Sequence, residues 1–165
     1  MDSNAPGARW FRIPHLRLDR KPKPTTPQPK IEPLGLDPSF AYDAKRRQYD
    51  STRLLECLPR GTVVVTDLDL CIPILEFVFG EAELGGERAI VSTHRLHQEF
   101  YGLPADEALF QERVRKEVRH EWGHAIGLRH CHRYDCVMHS SPSVEHVDLK
   151  GEEFCESCRQ KIAGT

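Results

Sequence analysis

The most constraining feature of the chain is the run His-Glu-x-x-His-x-x-Gly-x-x-His at residues 120–130. Residues four apart on an α-helix differ by about 400° in rotation, so His120 and His124 are expected on one helix face, where two imidazoles can bind one cation. His130 lies too far along the chain to stay on that face. We expect Gly127, which can adopt positive φ, to end the helix and to turn His130 back toward the same cation.

Three neutral imidazoles are a ligand set typical of catalytic zinc. They leave one coordination position open for water, and zinc lowers the pKa of that water to about 7. Glu121 follows the first histidine and can lean toward the open position without binding the metal, as a general base does. The motif therefore predicts a hydrolase that cleaves peptide bonds with zinc-activated water, while Glu121 carries the proton to the leaving amine.

Four cysteines follow the histidines, namely Cys131, Cys136, Cys155 and Cys158. Their CxxxxC and CxxC spacings suit a closed tetrahedral zinc site, which stabilises the fold and leaves no position for water. Because Cys131 comes directly after His130, a structural zinc there would hold the third catalytic ligand in place.

Two disulfides are the alternative use of these four cysteines, and they require an oxidising compartment. The first residues contain no apolar signal-peptide core, and no stretch of the chain has the apolar length of a membrane span. We therefore expect reduced thiols and a cytoplasmic location. Cys57 and Cys71 lie among leucine and isoleucine, so they are expected to be small buried apolar residues.

Together the two motifs resemble the signature of the archaemetzincins, a branch of the metzincin zinc metallopeptidases, which reads HExxHxxGxxHCxxxxCxM followed by CxxC. Residues 41–49, 65–70 and 77–82 also resemble segments of that family. The resemblance covers about residues 36–165. It implies a catalytic zinc on His120, His124 and His130, Glu121 as base, a second zinc on Cys131, Cys136, Cys155 and Cys158, and Met138 as the Met-turn residue. Met138 would pack under the histidines rather than bind the metal.

The resemblance implies an α/β (α+β) fold, a compact zincin domain with a mixed twisted sheet, backing helix, active-site helix, Met-turn and C-terminal helix. The residue pattern predicts matching elements. They are a backing helix over about 43–58, a buried β-branched strand at Thr62–Thr66, the active-site helix over about 104–128 and a last helix over about 152–162.

Two further strands are predicted at 76–82 and 88–92, and the short connection between them favours antiparallel pairing. In the metzincin pattern, an antiparallel strand on the upper rim of the cleft pairs with extended substrate. The candidate for that strand is residues 77–82, so the candidate substrate-binding residues are Phe79, Gly80, Glu81 and Ala82.

Residues 1–35 are predicted to be a basic, proline-rich arm that is partly disordered, ahead of a catalytic domain at 36–165. Eight of the 12 prolines fall within residues 1–38. Residues 10–18 alternate enough to form a short edge strand, although Pro14 weakens the pattern. Archaemetzincins carry a strand and a helix before the segment equivalent to 41–49, so this N-terminus departs from the family.

The composition describes a small domain, with 165 residues, 39% hydrophobic residues and a formal net charge of −2. This small net charge gives no electrostatic preference for nucleic acid. We expect the protein to be a monomer that acts on peptides or proteins and does not bind membranes.

Two other functions fit parts of the sequence. One is a zinc-stabilised module that binds peptides or proteins with little or no proteolytic activity, and the other is a redox or disulfide protein that uses the cysteines. An intact Glu121 favours the peptidase, because a scaffold has no need of it. On a helical count, Trp122 and Arg129 are expected to face away from the zinc and to pack or meet solvent.

Overall fold

The computed structural model describes residues 10–14, 32–33 and 35–164. Within these residues, two β-sheets and four α-helices confirm the predicted α+β class. The strands are β1 (Trp10–Pro14), β2 (Glu32–Pro33), β3 (Tyr42–Asp43), β4 (Gln48–Asp50), β5 (Thr62–Thr66), β6 (Leu70–Ile72), β7 (Leu75–Val78), β8 (Gly80–Glu83) and β9 (Arg88–Ser92). The helices are α1 (Ser51–Glu56), α2 (Glu107–Ala125), α3 (Val144–Leu149) and α4 (Glu156–Ala163).

The larger sheet has the strand order β2-β1-β5-β9-β8. Strands β5 and β9 run parallel at its centre, and the remaining neighbours pair antiparallel. The smaller sheet has the order β3-β4-β6-β7. The larger sheet thus ends in an antiparallel edge strand, β8, and this edge borders the site described below.

Helices α1 and α2 cover opposite faces of the larger sheet. Val64 and Ile90 pack with Leu54 of α1, whereas Val63 packs with Val118 of α2. Successive side chains of a strand point to opposite faces, so an unbroken β-branched strand such as β5 supplies both cores. This arrangement makes α1 the backing helix and α2 the helix that carries the histidines.

The backing helix is much shorter than predicted. Residues 42–50 form the β3–β4 hairpin instead of helix, and Asp50 then caps α1 by accepting a hydrogen bond from the Arg53 N–H at 3.2 Å. In the hairpin turn, the Asp43 carboxylate accepts a hydrogen bond from the Lys45 N–H at 2.9 Å. Aspartate favours such turns because its side chain competes with helical backbone hydrogen bonds.

The strand predicted at 76–82 is divided between the two sheets. Residues 75–78 form β7, which pairs with β6, and residues 80–83 form β8, which pairs antiparallel with β9 as predicted. Phe79 lies between them and buries its ring in a cluster with Leu96, Val144 and Val147. Burying this large side chain fixes the point at which the chain leaves one sheet for the other.

The C-terminal part also differs in detail from the sequence predictions. Helix α3 is not among the predicted elements, and α4 starts at Glu156 rather than near residue 152, so Cys155 stands just before the helix. Cys71 is buried as predicted, but the prediction for Cys57 is wrong, because its thiol is exposed at the end of α1.

The short strand predicted near the N-terminus is present as β1. It is not at the edge, however, because β2 pairs with it on one side and β5 on the other. The remainder of the predicted arm lies outside the described residues, apart from β2 and residue 35. Among the residues that are described, no helix is both long and apolar enough to cross a membrane.

Candidate active site and metal centres

Two groups of potential metal ligands lie in the described part of the chain, one of histidines and one of cysteines. The ring nitrogens of His120, His124 and His130 lie within 4.8 Å of one another. Nε2 of His120 and Nε2 of His124 are 3.1 Å apart. A tetrahedral zinc ion with bonds of about 2.0 Å keeps its nitrogen ligands about 3.3 Å apart, so the histidine group fits zinc.

The end of α2 explains how His130 reaches the other two histidines. The Gly127 N–H donates to the His124 carbonyl at 2.9 Å, and the Leu128 N–H donates to the Gly123 carbonyl at 2.8 Å. These are the two hydrogen bonds of a Schellman motif. Gly127 has a φ of 102°, which confirms the predicted turn at this glycine.

Backbone carbonyls orient two of the three imidazoles. Nδ1 of His120 lies 2.7 Å from the Val137 carbonyl, and Nδ1 of His124 lies 2.7 Å from the Leu128 carbonyl. A carbonyl only accepts, so each Nδ1 carries the proton and each Nε2 keeps the lone pair that can bind metal. Burial lowers the pKa of all three histidines, which favours the neutral ring.

Glu121 is buried beside the histidines and against β8. A Cβ added to Gly80 would lie 2.6 Å from Cγ of Glu121 and 2.7 Å from the Ile90 carbonyl oxygen, so only glycine permits this close approach. Burial raises the pKa of Glu121 well above its usual value, and the neighbouring Glu117 raises it further. A carboxyl group with a raised pKa is suited to accept a proton near neutral pH.

Replacing Gly80 with alanine is expected to destabilise the protein by about 1–3 kcal/mol, because the added methyl must displace either Glu121 or the β9 backbone. The free energy of unfolding, measured by urea denaturation at a fixed free zinc concentration, tests this. Gly35→Ala is the control, since a Cβ at that exposed glycine meets nothing within 4 Å. Equal stability of the two variants would contradict the close approach of β8 to α2.

A buried ion pair lies behind the histidines. Nζ of Lys150 is 2.8 Å from Oε1 of Glu117, and the side chains are 0% and 3% exposed. The same Nζ is 3.4 Å from Nδ1 of His120. Sequence reasoning missed both residues. Glu117 precedes Glu121 by one helical turn and could have been placed by spacing, whereas only the fold brings Lys150 to this position.

The cysteine group fits a tetrahedral metal site. The Sγ atoms of Cys131 and Cys155 are 3.8 Å apart, as are those of Cys136 and Cys158. Zinc–sulfur bonds of about 2.3 Å give a tetrahedron with edges of about 3.8 Å, whereas a disulfide needs about 2.05 Å. A hydrogen bond from the Cys158 N–H lowers the pKa of Cys155 to about 7, which favours its thiolate, whereas burial raises the pKa of Cys136 and of Cys158.

Met138 lies beneath the histidine-bearing helix. It is fully buried, and a Cβ added to Gly123 would overlap its sulfur. The Met138 carbonyl accepts a hydrogen bond from the Cys131 N–H at 2.9 Å. Next to it, Val137 accepts from His120 and donates its N–H to the Glu153 carbonyl at 3.0 Å. This segment therefore links the cysteine group to the histidine group through hydrogen bonds that its backbone carbonyls accept.

The four candidate substrate-binding residues do not all face the histidines. The Phe79 ring is buried, and the Glu81 carboxylate accepts hydrogen bonds from Ser51 and Thr52 of α1. The Phe79 carbonyl accepts from the Ser92 N–H at 2.7 Å. Phe79 and Ser92 thus form a hydrogen-bonded pair, and such pairs alternate with non-hydrogen-bonded pairs along an antiparallel ladder. Gly80 and Ala82 belong to non-hydrogen-bonded pairs, so their backbone groups point away from β9, toward the edge that no described strand occupies.

An open depression of about 300 Å³ lies next to the histidines, and it is lined by Ala82, Leu84, His124, Arg129 and His130. One wall is formed by the edge of β8 and the turn that follows it. The other wall is formed by the chain after α2. These walls are joined by the Gly85 N–H, which donates to the His124 carbonyl at 3.0 Å. The depression is the part of the candidate cleft in which the edge strand and two of the histidines meet.

Helical counting predicted that Trp122 and Arg129 face away from the histidines. Trp122 does so and packs against the apolar cluster that contains Val63 and Val91. Arg129 is exposed to solvent as predicted, but it does not face away from the histidines, because α2 ends at Ala125 and the turn after it changes the direction of the following residues. Arg129 instead lines the depression.

Comparison with known proteins identifies relatives of this chain. A model of peptidase family M54 matches residues 42–164. The archaemetzincin of Methanocaldococcus jannaschii is 44% identical over 128 residues, which cover 76% of this chain and 72% of the relative. The archaemetzincin of Archaeoglobus fulgidus is 49% identical over 123 residues, which cover 73% of this chain and 72% of the relative.

Solved structures share the fold. The crystal structure of the A. fulgidus archaemetzincin superposes with a TM-score of 0.68 at 48% identity, over 74% of each chain. The archaemetzincin of Methanopyrus kandleri gives a TM-score of 0.69 at 38% identity, over 77% of this chain and 71% of the other. A zinc-dependent peptidase from Methanocorpusculum labreanum gives 0.70 at 34% identity, over 74% of this chain and 78% of the other.

The zincin-like fold, the histidine group and these relatives define the class of the protein as a zinc metallopeptidase. Within that class, the chain belongs to peptidase family M54, the archaemetzincins. The resemblance predicted from the two motifs is confirmed.

Proposed function

We propose that the protein hydrolyses peptide bonds with a catalytic zinc ion on His120, His124 and His130 and with Glu121 as general base. The convergence of three imidazole nitrogens beside a buried carboxylate and a free strand edge is the observation that carries this proposal. Zinc bound there would supply a Lewis acid that polarises the substrate carbonyl and activates water.

The residues of the chain supply the remaining parts of the reaction. The backbone groups of Gly80 and Ala82 bind an extended peptide by strand addition and hold its scissile bond in front of Glu121. Glu121 takes the proton from water and transfers it to the leaving amine. The hydrogen bonds from His120 and His124 to backbone carbonyls keep both rings oriented.

We also propose that Cys131, Cys136, Cys155 and Cys158 hold a second, structural zinc, which makes two zinc ions per chain. Met138 packs under the histidines as the Met-turn of a metzincin. The separation of 3.8 Å within each sulfur pair supports a metal site over disulfides. Because this site needs reduced thiols, we propose that the protein works in a reducing compartment, the cytoplasm. We also propose that it acts as a monomer.

Removal of metal tests the proposal. Brief treatment with 1,10-phenanthroline is expected to remove the zinc bound by histidines, which is open to solvent, and to abolish cleavage of quenched fluorescent peptides. The folded state should persist, because the buried cysteine site retains its zinc. Zinc content by mass spectrometry should fall from two to one per chain, and added zinc should restore activity.

The non-chelating isomer 1,7-phenanthroline is the control for this treatment. Cleavage that continues at full rate after loss of the first zinc would contradict the proposed catalytic metal. A zinc-loaded wild type that cleaves no member of a diverse peptide library would instead indicate a zinc-stabilised binding module.

A further inference from the structure

Arg129 is a cation in the candidate cleft that has no partner among the described residues. Its side chain is exposed and lines the depression beside His124 and His130. No hydrogen bond or ion pair joins its guanidinium to another residue of the described chain. By contrast, Arg88, Arg95 and Arg113 each donate to a carboxylate at 2.6–2.7 Å.

Within residues 35–164, the lining of the depression contains no acidic residue that could neutralise this charge. Glu83 is the acid of β8 that lies nearest in sequence to Leu84, and it pairs with Arg88 at 2.7 Å. The cation therefore remains available to a ligand. A guanidinium presents two parallel N–H donors to a carboxylate, and this geometry makes arginine selective for acidic groups.

We propose that Arg129 is a specificity-determining residue that binds an acidic side chain of the peptide substrate. This inference rests on the proposed function, because it takes the β8 edge as the strand to which the substrate is added. The expected substrates are peptides with aspartate or glutamate close to the scissile bond.

The strand geometry gives the position of the acidic residue. Gly80 lies at Glu121, whereas Ala82 and Leu84 lie two and four residues further along the chain, at the depression. At about 3.3 Å per residue, Arg129 faces a substrate residue about two to four positions from the scissile bond. In antiparallel pairing, the commoner arrangement, the substrate runs from Leu84 toward Gly80, so the acidic residue precedes the scissile bond.

Quenched peptide libraries with one fixed position test the proposal by cleavage. We expect the wild type to cleave peptides with Asp or Glu two to four residues before the scissile bond about fivefold faster, in kcat/KM, than the Asn or Gln isosteres, as for a partly exposed ion pair. Arg129→Gln should remove this preference, and Arg129→Glu should reverse it in favour of Lys. Arg129→Lys should retain part of it.

The matched control is Arg47→Gln. Arg47 is also exposed and lies in the β3–β4 turn of the other sheet. This variant should keep the preference of the wild type. A wild type with equal rates on the acidic and amide peptides, or an Arg129→Gln variant that keeps the acidic preference, would overturn the assignment while leaving the peptidase activity itself established.

Binding provides a readout that does not depend on activity. Fluorescein-labelled acidic and amide peptides are titrated, at two salt concentrations, into the zinc-loaded Glu121→Gln variant with and without Arg129→Gln. We expect Arg129 to favour the acidic peptide about fivefold, with a smaller ratio at high salt. This result without any cleavage by the wild type would support the assignment of Arg129 and reject the peptidase function. Equal affinities for both peptides would overturn the assignment.

Discussion

Replacing Glu121 with glutamine is expected to lower both kcat and kcat/KM for peptide hydrolysis by about 10³-fold while both zinc ions remain bound. Glutamine keeps the shape of the side chain against Gly80 but cannot accept the proton from water, and general acid–base catalysis typically contributes about 10²–10⁴-fold. Substrate affinity should change little, because Glu121 is not among the histidine ligands or on the strand edge.

Steady-state kinetics together with zinc analysis checks this result. Glu107→Gln is the matched control. Glu107 lies on the same helix, is exposed and accepts a hydrogen bond from Gln111 at 2.7 Å, remote from the histidines. If the Glu121→Gln variant kept more than about a tenth of the wild-type kcat, Glu121 would not be the general base. Loss of zinc from this variant would point to a structural role instead.

The second large effect is expected at the buried ion pair. Lys150→Met should reduce the free energy of unfolding by about 3–5 kcal/mol, because it leaves the Glu117 carboxylate buried without its cation. Protonation of Glu117 or entry of water would limit this loss. The double variant Glu117→Gln, Lys150→Met removes both charges and should recover most of the lost stability.

Urea denaturation of the four proteins of this cycle, at one free zinc concentration, gives the coupling energy between Glu117 and Lys150. Lys45→Met is the control, since Lys45 is an exposed lysine in the β3–β4 turn. A loss below about 1 kcal/mol for Lys150→Met would contradict a buried, desolvated pair.

The same pair bears on the histidine site. Nζ of Lys150 lies 3.4 Å from Nδ1 of His120, so the side chain occupies space beside a ring that also donates to Val137. Glu117 balances the charge of Lys150, so Glu117→Gln alone should leave an unpaired cation beside the ring and weaken zinc binding at the histidines relative to wild type. Competition with a fluorescent zinc chelator measures this affinity.

Much of the chemistry was predictable from local spacing. His120, Glu121 and His124 needed only the period of a helix, and Gly127 needed only the conformational freedom of glycine. The β5 strand was predictable because five consecutive residues suit a strand buried on both faces. These features are determined within about ten residues of chain, where the backbone geometry is known in advance.

Predictions of secondary structure failed where a side chain made a hydrogen bond to a nearby turn or packed against a distant element. Asp43 and Asp50 cap a turn and a helix respectively, so the region predicted to be one helix is a hairpin followed by a short helix. Phe79 interrupts a strand that alternation alone makes continuous, because its ring is buried with residues from α3 and from the segment after β9. Such choices depend on contacts that the local pattern does not contain.

By itself, then, the sequence determined the helix face of the paired histidines, the glycine turn after them, the cysteine spacing and the family. Only the tertiary structure decided which distant groups surround them. It brought Lys150 to Glu117, Gly80 against Glu121, and Arg129 to the edge of β8. The physical reason is that ligand spacing on a helix is a local property of the backbone, whereas burial, ion pairing and the lining of a cleft arise only when separate elements pack together.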